Sequence, residues 1–381
     1  MKQGQVHLLP SLNWKVLLDR PKSKLPQPLD SNQGEFYYTR NAIWHSLKYL
    51  QLSPGDEILV PAYNSRSEVQ ALADYGLKLN HYDTLPNTQV DTEALEKQIT
   101  PETKALYIIH YFGFSQPLDE IKKITKMHNL LLLEDCALAL FSKYHGKLLG
   151  FYGDAGYFCY RKYLEIPNGG SYVLSTSHSK IQEMNLTKPA LLSTLPELAG
   201  LLIKPLSEHY SWFASLYSWL RKKARAKLRG KKIDSGISDF AREHVNWQVS
   251  KISKYILYRL EIPKIINQRI YNYNYLKQTL KPLIKKNNKI RFLNLEEQDG
   301  FVPHCLPLVV HDNVFWQQAL AKHNIETGAW WHYDPFFPNA ERYPNNNWLR
   351  QHILEIPIHQ DLSKKDMDYI VQRVKNIITK K

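Results

Sequence analysis

Cysteine is scarce in this 381-residue chain: Cys136, Cys159 and Cys305 are the only three, and no two share a C-x-x-C spacing. This excludes a disulfide framework and the usual zinc or redox motifs, and it makes a reducing cytoplasm the expected compartment. No metal site is expected. Long hydrophobic runs are missing as well. The most apolar stretch, Ala190 to Ile203, is interrupted by Pro196 and Glu197 and is too short to span a bilayer. The first fifteen residues lack a signal-peptide core. Internal repeats are absent, and the one biased tract is a basic run in which acidic residues are lacking. Residues 221–232 (RKKARAKLRGKK) hold eight Lys or Arg and no Asp or Glu. These eight make up more than half of the formal net charge of +14, so the basicity is mainly local. No recognised nucleic-acid-binding module accompanies it, and nucleic acid is not an expected partner.

What is present reads as an α/β protein. With 43% apolar and 12% aromatic residues, the chain can bury a sizeable core. Apolar spacing predicts a helix over 40–52, stopped by Ser53-Pro54-Gly55-Asp56, then a strand over 57–61 (EILVP). A helix over 67–75 closed by Gly76 and a strand over 77–82 follow. Further strands are expected at 105–110, 130–134, 155–160 and 171–175, with a helix over 118–128. This alternation implies βαβ units and a mostly parallel central sheet flanked by helices, with ligands beyond the carboxyl ends of its strands. Residues 177–239 break the rhythm. A long helical pattern over 249–280, strands near 301–310 and 353–358, and a helix over 366–378 capped by Ser363 and Asp366 complete the reading. The expected division is a large α/β domain over 1–245, with a basic helical segment near 205–235, and a smaller α+β domain over 246–381.

Three features could carry chemistry. Asp135 follows the apolar run Leu130 to Leu133 and would lie at the ligand-binding end of a buried strand; from position alone a helix cap or surface acid is the more ordinary explanation. Lys162 follows a strand and precedes YLEIPNGG. As a nucleophile it would need desolvation or nearby positive charge, which Arg161 could supply, whereas most lysines are solvated surface charges. Thr39-Arg40-Asn41 opens the first helix, where polar side chains and free N–H groups suit a phosphate or serve only as a cap.

The order of these features resembles the DegT–StrS family of sugar aminotransferases, which have the aspartate-aminotransferase fold (fold type I). The resemblance runs from about Tyr38 to Gly170 through SPGDEILVPAY (53–63), VDTEALEKQITPETKALYIIHYFG (90–113), LLLLEDCALAL, GDAGYF and RKYLEIPNGG. It resumes in the closing segment ILEIPIHQDLSKKDMDYIV. The resemblance implies a pyridoxal 5'-phosphate enzyme in which Lys162 forms the Schiff base and shuttles protons, and Asp135 pairs with the pyridinium nitrogen. Thr39, Arg40 and Asn41 match the family's phosphate turn, and Cys159 stands where a serine precedes the lysine. Asn246, in VNWQVS, falls where an asparagine reaches the phosphate across a homodimer interface. The implied reaction moves an amino group from an amino acid, glutamate or glutamine, to a keto-sugar in polysaccharide or secondary-metabolite biosynthesis. Leu138 replaces a glutamine beside the ring, and Asn64-Ser65 replace an aromatic or threonine pair. The alternatives are a sugar dehydratase of the same fold, against which Lys162 argues because those enzymes usually carry histidine there, and a non-catalytic or regulatory member.

The basic run extends an amphipathic stripe of Phe213, Leu216, Tyr217, Leu220, Ala224 and Leu228, opposite Arg221, Lys222, Arg225 and Arg229. Residues 212–232 would suit an anionic membrane surface, placing the protein peripherally at the inner membrane. They would also suit a diphosphate, or pack as a helix with a solvated face. The aromatic cluster TGAWWHYDPFFP (327–338), with His332 and Asp334, suits a sugar-stacking wall or a packed core. Neither His332 nor His359 is expected to be catalytic.

Overall fold

Residues 4–22, 24–30, 34–175, 184–209, 244–287, 289–329 and 340–379 are described by a computed structural model. The whole basic stripe at 212–232 and the aromatic residues 330–338 lie outside these described residues.

The first half runs β1 (Glu35–Phe36), α1 (Thr39–Tyr49), β2 (Glu57–Pro61), α2 (Arg66–Tyr75), β3 (Lys78–Tyr82), α3 (Thr92–Glu96), β4 (Thr103–Ile109) and α4 (Leu118–Met127). Then come β5 (Leu131–Asp135), the short pair β6 (Lys143–Tyr144) and β7 (Lys147–Leu148), β8 (Ala155–Cys159), β9 (Gly170–Leu174) and α5 (Leu191–His209). Seven of the strands form one sheet in the order β1-β9-β8-β5-β4-β2-β3. From β8 to β3 every neighbouring pair is parallel, and β9 and β1 close the other edge antiparallel. β4 and β5 are apolar over nearly their whole length because apolar groups cover both faces. Alternate residues enter one core with Leu47, Tyr107 and Leu133 and another with Leu106, Leu118 and Leu132. The mostly parallel sheet expected from the alternating pattern is therefore present.

The C-terminal part contains α6 (Lys251–Leu257), α7 (Ile262–Ile284), β10 (Ile290–Phe292), β11 (Leu306–Val310), α8 (Asn313–Ala321), α9 (Pro344–His352), β12 (Ile353–Ile356) and α10 (Lys364–Thr379). Its strands make a separate antiparallel sheet, β10-β11-β12, the smaller α+β unit. The helix expected over 249–280 is two helices. Pro263 lies in the first turn of the second, where a residue without an N–H costs no intrahelical hydrogen bond. The cap on α10 is as expected: Ser363 N–H donates to Asp366, and Asp366 N–H returns to Ser363 Oγ at 3.3 Å.

The N-terminal lead-in is irregular but fixed. Val6 bridges Ile325, with Val6 N–H on Asn324 O and Glu326 N–H on Val6 O, both at 2.8 Å. Ser11 N–H donates to Asp361 Oδ2 at 2.7 Å, and His359 Nε2 meets His7 O at 3.0 Å. Among the described residues, no helix is long and apolar enough to cross a membrane.

Gly156, inside β8, lies against the turn at Gly150, where an added Cβ would stand 2.0 Å from the Gly150 carbonyl oxygen. Gly156→Ala is expected to destabilise the fold by about 1–3 kcal/mol or more, because backbone would have to yield. A denaturation midpoint equal to that of the parent would show that this contact relaxes freely.

Candidate active site

β5 and β8 are neighbours in the sheet and run parallel, with Asp135 in register with Tyr157. β5 ends on Asp135, and β8 leads into a single 3-10 turn, Tyr160–Lys162. Both residues therefore stand at the carboxyl edge of the sheet, where parallel strands leave a crevice for ligands.

Asp135 is 2% exposed, and its two oxygens are held: Oδ1 accepts from Ala137 N–H and Oδ2 from the Tyr107 hydroxyl, each at 2.8 Å. Burial, then the like charge of Glu68, push its carboxyl up to about 6, against the opposing pull of Lys162 and those hydrogen bonds. Lys162 is half-buried. Its positive charge acts on Asp135, on Glu355 of β12 and on His304, which burial followed by the Arg269 and Lys162 charges keeps neutral. The amine and the acid singled out from sequence thus stand at the ends of neighbouring strands, with the lysine charge acting on the acid.

The loop after Lys162 is pinned from several directions. Tyr163 donates its hydroxyl to Leu138 O at 2.7 Å and to Val302 O at 3.3 Å. Gln360 Nε2 reaches back to Tyr163 O at 2.9 Å and Glu165 Oε1 at 2.6 Å, and its own oxygen accepts from Arg269 Nη1 at 2.9 Å. Asn168 Oδ1 accepts from Ser250 N–H at 2.9 Å. Lys162 is therefore presented by a rigid turn backed by the C-terminal part of the chain.

Thr39 and Arg40 open α1, whose N-cap, Tyr38, makes no side-chain cap, so the positive end of the helix is left for an anion to approach. Thr39 Oγ1 donates to Phe158 O at 3.2 Å, tying the helix start to β8. Gly170 makes this approach possible, since a Cβ there would lie 2.6 Å from Thr39 Oγ1 and 2.7 Å from Thr39 N. The Arg40 guanidinium lies 4.4 Å from the Tyr38 ring centroid, and Arg40 and Arg161 share the electrostatic neighbourhood of Glu197. Cys159 is buried at the end of β8, within hydrogen-bonding reach of Arg161. Two arginines thus gather beside the helix start. Leu138 is buried in the apolar core.

Asn41 and Asn246 are placed differently. The Asn41 amide is buried and donates to His244 O at 2.9 Å, holding the segment that carries Asn246. Asn246 itself is exposed on the flank of α1, beside His45, and borders a cavity of about 360 Å³ with Trp44, Lys48, Tyr49 and Tyr75. Within one chain, neither residue joins Lys162 and Asp135.

Sequence reasoning missed Tyr107, Glu68, His304 and Glu355. Tyr107 and Glu68 look like ordinary members of a strand and of a helix's first turn. Glu355 did leave a signal, a lone acid inside the apolar strand ILEI.

Residues 39–185 match the model of the DegT/DnrJ/EryC1/StrS aminotransferase family. The spore coat polysaccharide biosynthesis protein SpsC of Bacillus subtilis is 23% identical over 348 residues, 88% of this chain and 83% of that protein. A GDP-perosamine synthase of Escherichia coli O157:H7 is 33% identical over 135 residues, 35% of this chain and 37% of its own. The structure of the aminotransferase TlmJ from Streptoalloteichus hindustanus superposes with a TM-score of 0.68 at 16% identity, covering 97% of this chain and 98% of that one. The family resemblance read from the motifs is borne out, and the fold is that of these aminotransferases.

Glu165, three residues beyond Lys162, supplies a test of the pinned loop. Burial, then Asp361, push its carboxyl up to about 8. The folded chain therefore holds a proton that the unfolded chain releases near 4.5, and this contribution to stability is full below that pH and lost as pH rises towards 8. Glu165→Gln is expected to lose less stability than the parent between pH 5 and pH 8, by on the order of 1–3 kcal/mol. Parallel stability curves for the two proteins would contradict the assignment.

Proposed function

We propose, taking that family match as premise, that this chain is a pyridoxal-phosphate-dependent aminotransferase that moves an amino group from an amino acid, glutamate or glutamine, to a keto-sugar. The observation that carries the reading is the meeting of Lys162 and Asp135 at the ends of adjacent parallel strands, each within the other's field. The relative named GDP-perosamine synthase supports a nucleotide-linked sugar as acceptor, and the spore coat polysaccharide protein supports a role in surface polysaccharide synthesis.

The residues fit the cofactor: a half-buried amine, a buried acid opposite it, and an uncapped helix start flanked by two arginines. When bound, pyridoxal phosphate supplies an aldehyde that captures amines and a ring that withdraws electrons from the attached carbon. Lys162 would hold the cofactor through Nζ and, once released from it, would take up and return a proton at that nitrogen. Asp135, oriented by Tyr107 and the Ala137 N–H, would supply the negative charge that favours a protonated ring nitrogen. Thr39, Arg40 and the first N–H groups of α1 bind the phosphate. Arg40 and Arg161 supply by charge what a Gly-Thr turn and a serine would supply by hydrogen bonding, with Cys159 held beside them. Asn41 acts indirectly, by fixing residues 244–247. Asn246, exposed and away from Lys162 of its own chain, supports a homodimer in which it reaches the phosphate bound by the partner.

Lys162→Ala is expected to abolish borohydride trapping of the cofactor and to lower amination of keto-sugars by about 10³-fold or more. Trapping that persists on another lysine would refute the assignment. Transfer of label from glutamate or glutamine to a panel of nucleotide-linked keto-sugars identifies donor and acceptor. A parent protein that gains no visible absorbance on adding pyridoxal phosphate would instead favour a non-catalytic member of the fold.

A further inference from the structure

We propose that Glu134, with His110, is a positioning residue for the reaction, a buried carboxylate that fixes the acid-bearing end of β5 against the strand leading to Lys162. The proposal rests on the reading of Asp135 and Lys162 as the cofactor's acid and amine, and it adds the part that sets one against the other.

Glu134 precedes Asp135 in β5, and successive strand residues point to opposite faces of a sheet. Asp135 meets Tyr107 on one face, whereas Glu134 shares the other with Leu132 and with its pairing partner Ile108 of β4. Both Glu134 and His110, the residue just beyond β4, are fully buried. A carboxylate so enclosed is costly unless its oxygens find donors. Four N–H groups converge on it. Oε1 accepts from Tyr152 N–H at 2.7 Å and Gly153 N–H at 2.6 Å, and Oε2 accepts from Gly150 N–H and from His110 Nε2, each at 3.0 Å. The other ring nitrogen of His110 fixes the tautomer. Nδ1 lies 3.1 Å from the Gln116 nitrogen, whose N–H can only donate, so the ring proton sits on Nε2 and points at Glu134.

These donors belong to the two segments that flank the acid. Residues 150–153 form the turn that feeds β8, and Lys162 stands in the turn at the far end of that strand. His110 continues β4, and its backbone N–H donates to Asp135 O at 3.0 Å. One residue thus holds the Asp135 peptide with its backbone and Glu134 with its ring, while Glu134 holds the turn before β8. Cys136 N–H, directly after the acid, donates to Tyr157 O in β8 at 2.8 Å and completes the frame. The strand that carries Asp135 is therefore registered against both neighbours at the point where it ends. Glu134 works from the face opposite the acid, through the backbone, and orients Asp135 without touching what Asp135 binds.

The test titrates visible absorbance against pH in the full-length protein loaded with pyridoxal phosphate. His110→Phe keeps a ring and removes the contact to Glu134, whereas His110→Gln keeps an N–H donor for it. An Asp135 that drifts from the ring nitrogen no longer favours its protonation. The lysine–cofactor link, relieved of a like charge, then keeps its own proton to higher pH. His110→Phe is expected to raise the deprotonation midpoint of that link by about one pH unit. It is also expected to lower kcat by about 10–100-fold with KM little changed. His110→Gln is expected to stay near the parent in both. Lost stability alone moves the denaturation midpoint and leaves the absorbance midpoint of the folded protein in place. An unmoved absorbance midpoint in His110→Phe, or an equal rise in His110→Gln, would overturn the proposal. Should His110→Phe fail to fold, Glu134→Gln carries the same expectation and the same refuting outcome, because its amide turns N–H groups against N–H donors. A parent protein with no visible band would refute the Lys162 reading itself, whereas a normal parent band with an unmoved mutant midpoint refutes only the role of Glu134 and His110.

Discussion

Lys162 and Asp135 bear opposite charges on the ends of two strands that lie side by side and point the same way, and the rest of the site is arranged around that relation. Parallel neighbours bring their carboxyl ends to one edge, so a five-residue strand and a single 3-10 turn suffice to set an amine against an acid. The acid's charge would be expensive in a dry interior. It is retained because Tyr107 and the Ala137 N–H hold its oxygens and because the amine lies opposite.

The amine's position depends on parts of the chain remote in sequence. Gln360 spans Tyr163 and Glu165 while Arg269 holds Gln360, so the closing motif and the long helix α7 both brace the turn that carries Lys162. The C-terminal part of the chain is thereby coupled to the turn at the edge of the large sheet.

Much of this was legible in the sequence. The strands at 57–61 and 155–159 and the helices ending at Tyr75 and Met127 follow from apolar runs bounded by Gly, Pro or polar stops, and their order implies the parallel sheet. Lys162 and Asp135 became readable through the motifs around them. What the sequence concealed is mostly non-local. That Asn41 turns to His244 rather than to an anion depends on where residues 244–247 return, which no spacing rule gives. Tyr107 and Glu68 acquire meaning only when β4 and α2 are set beside β5. Short elements such as β1, α3 and β10 were missed because two to five residues carry too little periodicity. The break between Tyr258 and Glu261 is masked because the apolar pattern on either side is continuous.

The bridge between Val6 and Ile325 joins residues more than three hundred positions apart. During synthesis Val6 therefore cannot reach its partner strand until Ile325 has left the ribosome. Early intermediates would expose Val6 to solvent and to chaperones, and closure of this long circuit is a late event of assembly.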